Sequence, residues 1–246
     1  MDRVAYTRHY ELDKAHFWRE GKRELVLRHV RAELGDREGA ALVDIGGACS
    51  VVTQELGDLG DLLVLEPDAE IAAQARAQLG VRVELGALPD ALPLADGSVD
   101  LVTLLDVLEH IDDDAASLAT IRRLLRPGGL LVLTVPAYAW LWSEHDEALH
   151  HKRRYTQGEL RRLLEAAGFE VERMTYYTSL LLPLIAAQRA LQRLRPRSGP
   201  PRYRVKVPSG AVNRALAWVM RAERWLLGRT DLPAGSAILA LARRPR

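Results

Sequence analysis

Along most of the chain, segments with the apolar pattern of a strand alternate with segments in which apolar residues recur at the spacing of a helix. Short apolar runs, typical of buried strands, occupy residues 41–45, 61–66, 81–85, 98–105 and 130–135. Helical spacing predicts an opening amphipathic helix over residues 20–34 and further helices at about 50–56 and at 67–80. Strands and helices in strict alternation are typical of βαβ units, so the pattern predicts a doubly wound α/β domain with a parallel sheet.

The pattern changes in the last third of the chain. Residues 156–168 predict a helix, in which Thr156 and Glu159 have the spacing of a capping box, and residues 169–177 predict a strand. Residues 178–233 then break the alternation with an apolar and basic segment, a Pro, Gly and Arg loop and an amphipathic helix. We interpret them as an insertion before a closing strand in residues 234–246.

Length and composition favour one domain. The chain has 246 residues, of which 48% are hydrophobic. Its first residues contain no apolar signal region, and no run reaches the roughly 18 apolar residues of a spanning helix, so a cytoplasmic location is expected. The single cysteine, Cys49, predicts neither an internal disulfide nor a cysteine metal cluster.

The formal net charge of +1 conceals an asymmetry. Residues 189–246 contain 14 Lys and Arg side chains against only Glu223 and Asp231. Such a segment could contact phosphate, anionic lipid or an acidic substrate, or it could form solvated helix faces beside an acidic body. Nucleic acid is not a predicted partner.

A glycine turn after the first strand is the first candidate site. The segment VDIGGACS (43–50) follows that strand and opens a helix, and Glu66 ends the second strand 22 residues after Asp44. Glycines let the backbone approach a ligand, and an acid at the second strand end can accept hydrogen bonds from ribose hydroxyls. A purely structural tight turn would give the same pattern.

Three further motifs follow in order: GALPDALPLADGSVDLV (86–102), LLDVLEHI (104–111) and RPGG (126–129). Together with the glycine turn they resemble the class I S-adenosylmethionine-dependent methyltransferases, specifically the small-molecule, type 11-like group. Residues 16–23 and 136–160 resemble flanking segments of one branch, so the likeness covers nearly the full chain. The resemblance implies a Rossmann-like seven-stranded sheet, mostly parallel with an antiparallel last strand, and S-adenosylmethionine as cofactor with S-adenosylhomocysteine as product.

The resemblance also assigns cofactor contacts. It places the cofactor turn at Asp44 and Gly46, the ribose at Glu66, and the sulfonium end near Asp106. The complete set of expected cofactor residues is Asp44, Gly46, Gly47, Ala48, Glu66, Pro67, Ala87, Leu88, Asp106, Val107 and Trp18.

The glycine turn departs from the family pattern at two positions. Ala48 and Ser50 stand where the family usually has a second and a third glycine. An alanine adds a methyl group beside the cofactor, and it adds strain if the position requires a positive φ. These departures leave two outcomes open, a weakened cofactor affinity or a site that has drifted from catalysis.

Candidate catalytic groups follow the fourth and fifth strands. A hydroxyl or ammonium acceptor must lose a proton during methyl transfer, and histidine suits that step because it titrates near neutral pH. His110 follows the fourth strand, and His145 with Asp146 follows the fifth, so these three are the predicted catalytic residues. Packing or capping of the next helix is the alternative for His110.

The loop after the fifth strand also supplies the predicted substrate contacts. His151, Arg153, Arg154 and Tyr155 could bind an anionic or sugar-like substrate, or they could form a salt-bridge network at a helix start. Tyr138 and Trp142 could wall an apolar pocket. We predict no metal site, because the sequence spacing of histidines and carboxylates defines none.

The functional hypothesis is methylation of a small molecule, such as a sugar or secondary metabolite, at oxygen or nitrogen. The rivals are a nicotinamide-dependent oxidoreductase, in which LPDALPL and DVLEHI have no role, and a non-catalytic binding protein of the same fold. The predicted layout is one domain over residues 1–246: a cap (1–38), a core (39–177), the insertion (178–233) and the closing strand (234–246). The insertion is expected to form a lid or, alternatively, a weak peripheral membrane contact, and the protein a monomer or homodimer.

Overall fold

The computed structural model describes residues 10–48, 50–90, 92–194 and 207–246. Cys49 and part of the predicted basic segment, residues 195–206, lie outside the described residues. The helices are α1 (Phe17–Leu34), α2 (Val51–Gly57), α3 (Ala69–Leu79), α4 (Asp114–Leu124), α5 (Glu144–Ala148), α6 (Gln157–Ala166), α7 (Leu182–Arg193) and α8 (Gly210–Leu227). The strands are β1 (Ala41–Ile45), β2 (Asp61–Glu66), β3 (Arg82–Leu85), β4 (Val99–Leu105), β5 (Leu125–Pro136), β6 (Glu170–Tyr177) and β7 (Ala237–Arg243).

The strands form one seven-stranded sheet in the order β3-β2-β1-β4-β5-β7-β6. β1 to β5 pair in parallel, and β7 is antiparallel to both β5 and β6. The predicted sheet with an antiparallel last strand is therefore confirmed. Strand order reverses between β1 and β4, the switch point where open α/β sheets bind ligands beyond the carboxyl ends of their strands.

Local capping explains where the helices begin. The Asp68 carboxylate accepts hydrogen bonds from the backbone N–H groups of Glu70 and Ile71, so α3 starts at Ala69 and Pro67 lies outside it. The His16 side chain likewise accepts from Trp18 N, which places the start of α1 at Phe17 rather than at residue 20.

Two further predictions concern the second half of the sheet. The capping box of α6 is confirmed, because Thr156 and Glu159 exchange side-chain and backbone hydrogen bonds. β5 is longer than predicted and begins at Leu125. Its early residues are held by the chain after β7, since Gly128 N donates to the carbonyl of Arg244 and Arg244 N to the carbonyl of Gly129.

Buried apolar side chains form two clusters, which reflect the two covered faces of the sheet. One cluster contains residues of α1, α2 and α3, such as Leu27, and the other contains residues of α4 and α6, such as Leu118. Burying one leucine side chain fully is worth about 1.5–3 kcal/mol, so these faces hold the sheet rigid beneath the site.

Of the two helices between β6 and β7, α8 packs beside α1. The Asn213 side-chain amide of α8 donates to the carbonyl of Ala15 and accepts from the N–H of Phe17. The buried Glu223 carboxylate accepts hydrogen bonds from three successive backbone N–H groups, at residues 178–180, just before α7. No helix among the described residues is long and apolar enough to cross a bilayer.

Candidate functional site

A cavity of about 560 Å³ opens at the carboxyl ends of β1, β4 and β5. Its floor includes Asp44, Gly46, Gly47 and Asp106, which belong to β1 or to the turns after β1 and β4. Its walls come from α1, from α7 and from the segment after β5. The described lining residues from those walls include Trp18, Lys22, Leu184, Ile185, Arg189, Leu141, His145, Leu149, His151 and Arg154.

The turn after β1 is held from below by a buried carboxylate. Asp44 is fully buried and accepts hydrogen bonds from the hydroxyls of Thr53 and Thr103. Burial raises the pKa of Asp44, while these two hydroxyls act in the opposite direction. Asp44 therefore joins α2 and β4 to the turn, and its side chain shapes the cavity floor.

Two glycines leave the space above this turn open. Gly46 has a φ of +75°, and a Cβ there would lie 2.8 Å from Val107 Cγ2. A Cβ at Gly47 would collide with the Asp44 carboxylate. A side chain at either position would therefore collide with a neighbouring side chain, whereas the two glycines leave the backbone of the turn open to the cavity that both line. This cradle is the candidate site for the amino-acid end of S-adenosylmethionine that the resemblance implies.

The expected strain at Ala48 and Ser50 is absent. Neither residue has a positive φ, and the Ala48 methyl group is fully buried in the core rather than on the cavity. Ser50 caps α2, accepting from Val52 N at 3.2 Å. The condition for strain is therefore not met at either position, because Gly46 is the residue of this turn with a left-handed backbone among those described.

The second strand ends beside the glycine turn. Gly46 N donates to the carbonyl of Leu65 at 2.8 Å, so the next residue, Glu66, lies near the cradle. Burial raises the pKa of Glu66, although its carboxylate accepts a hydrogen bond from Asp68 N at 3.1 Å. Glu66 and residues 67, 87 and 88, at the ends of β2 and β3, lie at the same edge of the sheet but outside the lining of the cavity.

Asp106 follows β4 and faces a lysine from α1. Its φ is +57°, and its carboxylate lies 2.8 Å from Lys22 Nζ and accepts from Thr134 Oγ1 at 2.9 Å. Burial acts to raise the pKa of Asp106, but Lys22 and Thr134 outweigh it, so the pKa lies below the usual value. Trp18, one helical turn before Lys22, donates its indole N–H to Thr178 Oγ1.

Three histidines line one wall. The ring centroid of His151 lies 4.7 Å from that of His110 and 6.4 Å from that of His145. Burial lowers the pKa of His110 and of His145 to about 4, and the proximity of His151 contributes in both cases. His110 and His145 are therefore neutral at physiological pH.

Asp146 is buried, and its carboxylate binds His151 and Arg154. Its carboxylate accepts hydrogen bonds from Ser143 N, from His151 Nδ1 at 3.0 Å and from Arg154 Nε at 2.8 Å. Burial opposes ionisation, yet these donors hold the pKa of Asp146 well below its usual value. Asp146 is not among the lining residues, and its catalytic role stays a prediction.

Glu109 lies in the same wall, and its part in the site was missed from the sequence. It is fully buried, and neither carboxylate oxygen has a hydrogen-bond partner among the described residues. Burial, together with the nearby Asp106, raises its pKa well above the usual value. Glu109 belongs to the motif that carried the family resemblance, but nothing in that motif indicates an unpaired carboxylate.

The predicted substrate residues divide into two groups. His151 and Arg154 line the cavity. Arg153 and Tyr155 instead bind the Asp114 carboxylate at the start of α4. The two predicted aromatic residues, Tyr138 and Trp142, lie outside the lining, and Tyr138 stacks on Tyr176 with ring centroids 5.0 Å apart.

Lys22 was not assigned to the cavity from the sequence, and the insertion was assigned to it only as a whole, as a lid. Lys22 is one helical turn from Trp18, so the i to i+4 spacing could have indicated it. Leu184, Ile185 and Arg189 come from the insertion, and their approach to the cavity depends on how α7 packs.

A family model described as "Methyltransferase domain" matches residues 17–173. A Streptomyces fradiae protein, named as an uncharacterized 37.1 kDa protein in transposon TN4556, is 34% identical over 182 residues, covering 64% of this chain and 51% of the relative. A Mycolicibacterium smegmatis protein named "Probable S-adenosylmethionine-dependent methyltransferase" is 39% identical over 111 residues, or 44% of this chain and 43% of the relative.

Solved structures show the same fold. An S-adenosylmethionine-dependent methyltransferase from Mesorhizobium loti superimposes with a TM-score of 0.57 and 19% identity, covering 89% of this chain and 98% of that one. At such identity the likeness concerns the fold alone. The chain spans about half the length of the curated relatives it matches.

Proposed function

The chain belongs to the methyltransferase domain family of class I S-adenosylmethionine-dependent enzymes, and from this premise we propose that it methylates a small molecule, such as a sugar or secondary metabolite, at oxygen or nitrogen. One observation carries the proposal. A single cavity joins the glycine cradle after β1 to a wall of three histidines, so donor and acceptor groups would meet in one enclosed space.

The residues around the cradle would hold the cofactor. S-adenosylmethionine supplies an electrophilic methyl group on a positively charged sulfur. Gly46 and Gly47 would bind its amino-acid end, Glu66 its ribose hydroxyls, and Asp106 would lie beside the positive charge. Trp18 and Lys22 would close this part of the cavity from α1. The protein's main contribution would be orientation of the reactants and exclusion of water.

The histidine wall would hold the acceptor. His145 lines the cavity, and we assign its neutral imidazole to accept the proton that a hydroxyl or ammonium acceptor must lose. His110 is the second imidazole within reach of the cavity. Arg154 and Arg189 also line it and offer guanidinium groups to an anionic part of the acceptor.

The insertion would form a lid over the acceptor. Leu184, Ile185 and Arg189 of α7 line the cavity, which supports this assignment. The alternative is a weak contact of the insertion with anionic membranes. The exposed Leu191, 58% accessible, and the neighbouring arginines support this alternative. Sedimentation with liposomes, with and without acidic lipid, tests it. Binding that depends on acidic lipid would favour the membrane role.

Calorimetry with S-adenosylmethionine, S-adenosylhomocysteine and NAD tests the proposal first. We expect both adenosyl ligands to bind and NAD not to bind. A preference for NAD would favour the oxidoreductase, and binding of none of the three would favour the non-catalytic protein. A methyl-transfer screen of sugars and small hydroxyl or amine metabolites then tests the acceptor class.

A further inference from the structure

Three side chains that can bind a metal converge on the cavity wall. Donor atoms of Glu109, His110 and His151 all lie within 4.8 Å of one another. Glu109 and His110 follow β4, whereas His151 comes from the segment after β5, so the fold brings them together. We propose that they form a binding site for one divalent transition-metal ion, of which Zn²⁺ is the best match.

The buried carboxylate is the first independent support. Glu109 is fully buried beside the cavity, and neither of its oxygens has a hydrogen-bond partner among the described residues. The imidazole nitrogen Nε2 of His151 lies 4.0 Å from Glu109 Oε1. An unpaired buried carboxylate is expensive, and a divalent cation on its open side would compensate that cost.

The orientation of His151 is the second support. His151 Nδ1 lies 3.0 Å from the buried Asp146 carboxylate, which leaves Nε2 directed to the Glu109 side. Metal-binding histidines commonly donate their second ring N–H to a carboxylate or a backbone carbonyl, which fixes the tautomer and the ring.

The donor set suits a site with chemistry to perform. Two imidazoles and one carboxylate form a common ligand set for catalytic zinc, in which a fourth position stays open. Bonds of about 2.1 Å would place the donor atoms about 3.3 Å apart, so small side-chain adjustments would close the cluster. The fourth position would face the cavity, because all three residues line it.

The role of the ion rests on the proposed function. An acceptor hydroxyl bound to the ion would release its proton to His145 more readily, since a divalent cation stabilises the resulting oxyanion. His110 would then act as a ligand, and Asp146 would position His151.

Metal binding to the full, tag-free chain tests the site directly. After removal of metal with a chelator, Zn²⁺ is titrated by calorimetry, and the bound zinc is counted by mass spectrometry after dialysis. We expect one ion per chain, and a loss of affinity of at least tenfold in Glu109→Gln and in His151→Gln. The Asp146→Asn variant should weaken binding about 10–100-fold through His151. The matched control is His29→Gln, because His29 lies in α1 and outside the cluster. This variant should bind Zn²⁺ as the wild type does.

A second readout guards against misfolded variants. Zn²⁺ should raise the melting temperature of the wild type and of His29→Gln, but not that of Glu109→Gln. Wild-type protein that takes up no zinc, or Glu109 and His151 variants that bind zinc unchanged, would overturn the site. S-adenosylhomocysteine binding in the same samples separates the two proposals, because the cofactor cradle does not depend on the ion.

Discussion

Lys22 Nζ lies 2.8 Å from the Asp106 carboxylate, and this ion pair joins the first helix to the turn after β4. Both side chains are largely shielded, with 13% and 25% of their surfaces exposed. The pair lies on the cavity, so a positively charged sulfur bound there would share the Asp106 carboxylate with Lys22. The balance between the two cations should control how the protein distinguishes cofactor from product.

Substitution of either partner should change that discrimination in opposite directions. Asp106→Asn should weaken S-adenosylmethionine about tenfold, or about 1.4 kcal/mol, and the uncharged S-adenosylhomocysteine much less. Asparagine tolerates the left-handed backbone at this position, so the fold should persist. Lys22→Met removes the competing cation and should shift preference toward S-adenosylmethionine. Calorimetry with both ligands gives the ratio, and equal losses for the two ligands in Asp106→Asn would contradict the assignment.

The glycine turn should tolerate no side chain at its second position. Gly47→Ala should reduce S-adenosylmethionine affinity at least tenfold, because the new methyl group collides with the Asp44 carboxylate. Ala48→Gly is the matched control. It should leave affinity within about twofold while lowering the free energy of unfolding by about 1 kcal/mol, through loss of a buried methyl group and added chain entropy. Tighter binding in Ala48→Gly would mean that the alanine does contact the cofactor.

His145 should act on turnover rather than on cofactor binding. We expect His145→Ala to lower kcat by about 100-fold or more, with the S-adenosylmethionine Kd changed less than threefold. Glu144→Gln, an exposed neighbour on the same short helix, should change neither quantity. Asp146→Asn should also slow turnover, through His151 and Arg154. Full turnover in His145→Ala would exclude the imidazole as proton acceptor.

Stability at mildly acid pH should depend on His29, outside the site. Burial first, and then Arg173 and Arg28, lower its pKa to about 4. The unfolded chain binds a proton at this histidine below about pH 6.5, whereas the folded chain does so only near pH 4. Stability contributed by the neutral form is therefore present at pH 7.5 and is lost as pH falls through this window. His29→Gln should reduce the loss of unfolding free energy between pH 7.5 and 5 by up to about 2 kcal/mol, measured by urea denaturation. An unchanged pH dependence would show that His29 titrates normally.

The sheet was predictable because its signals are local. Each strand is a short apolar run, and the cofactor turn combines a strand end with glycines, so both follow from neighbouring residues. The helix starts at Phe17 and Ala69 were harder to predict, because they depend on the capping hydrogen bonds that His16 and Asp68, respectively, accept.

The acceptor side of the site was harder to predict because it is assembled from distant segments. Asp146 is adjacent to His145 in sequence, yet its carboxylate binds His151 and Arg154. The spacing of Glu109 and His151 along the chain gives no metal pattern, and only the packing of β4 against β5 brings the two together. Sequence patterns report which residues are available there, but not which of them face each other.

A crystal structure with S-adenosylhomocysteine tests the central claim most directly. The account predicts both ribose hydroxyls within hydrogen-bond distance of the Glu66 carboxylate, the homocysteine end on Gly46 and Gly47, and the sulfur directed into the cavity beside Asp106. A nucleoside bound elsewhere, or a Glu66 carboxylate turned away from the ribose, would contradict it.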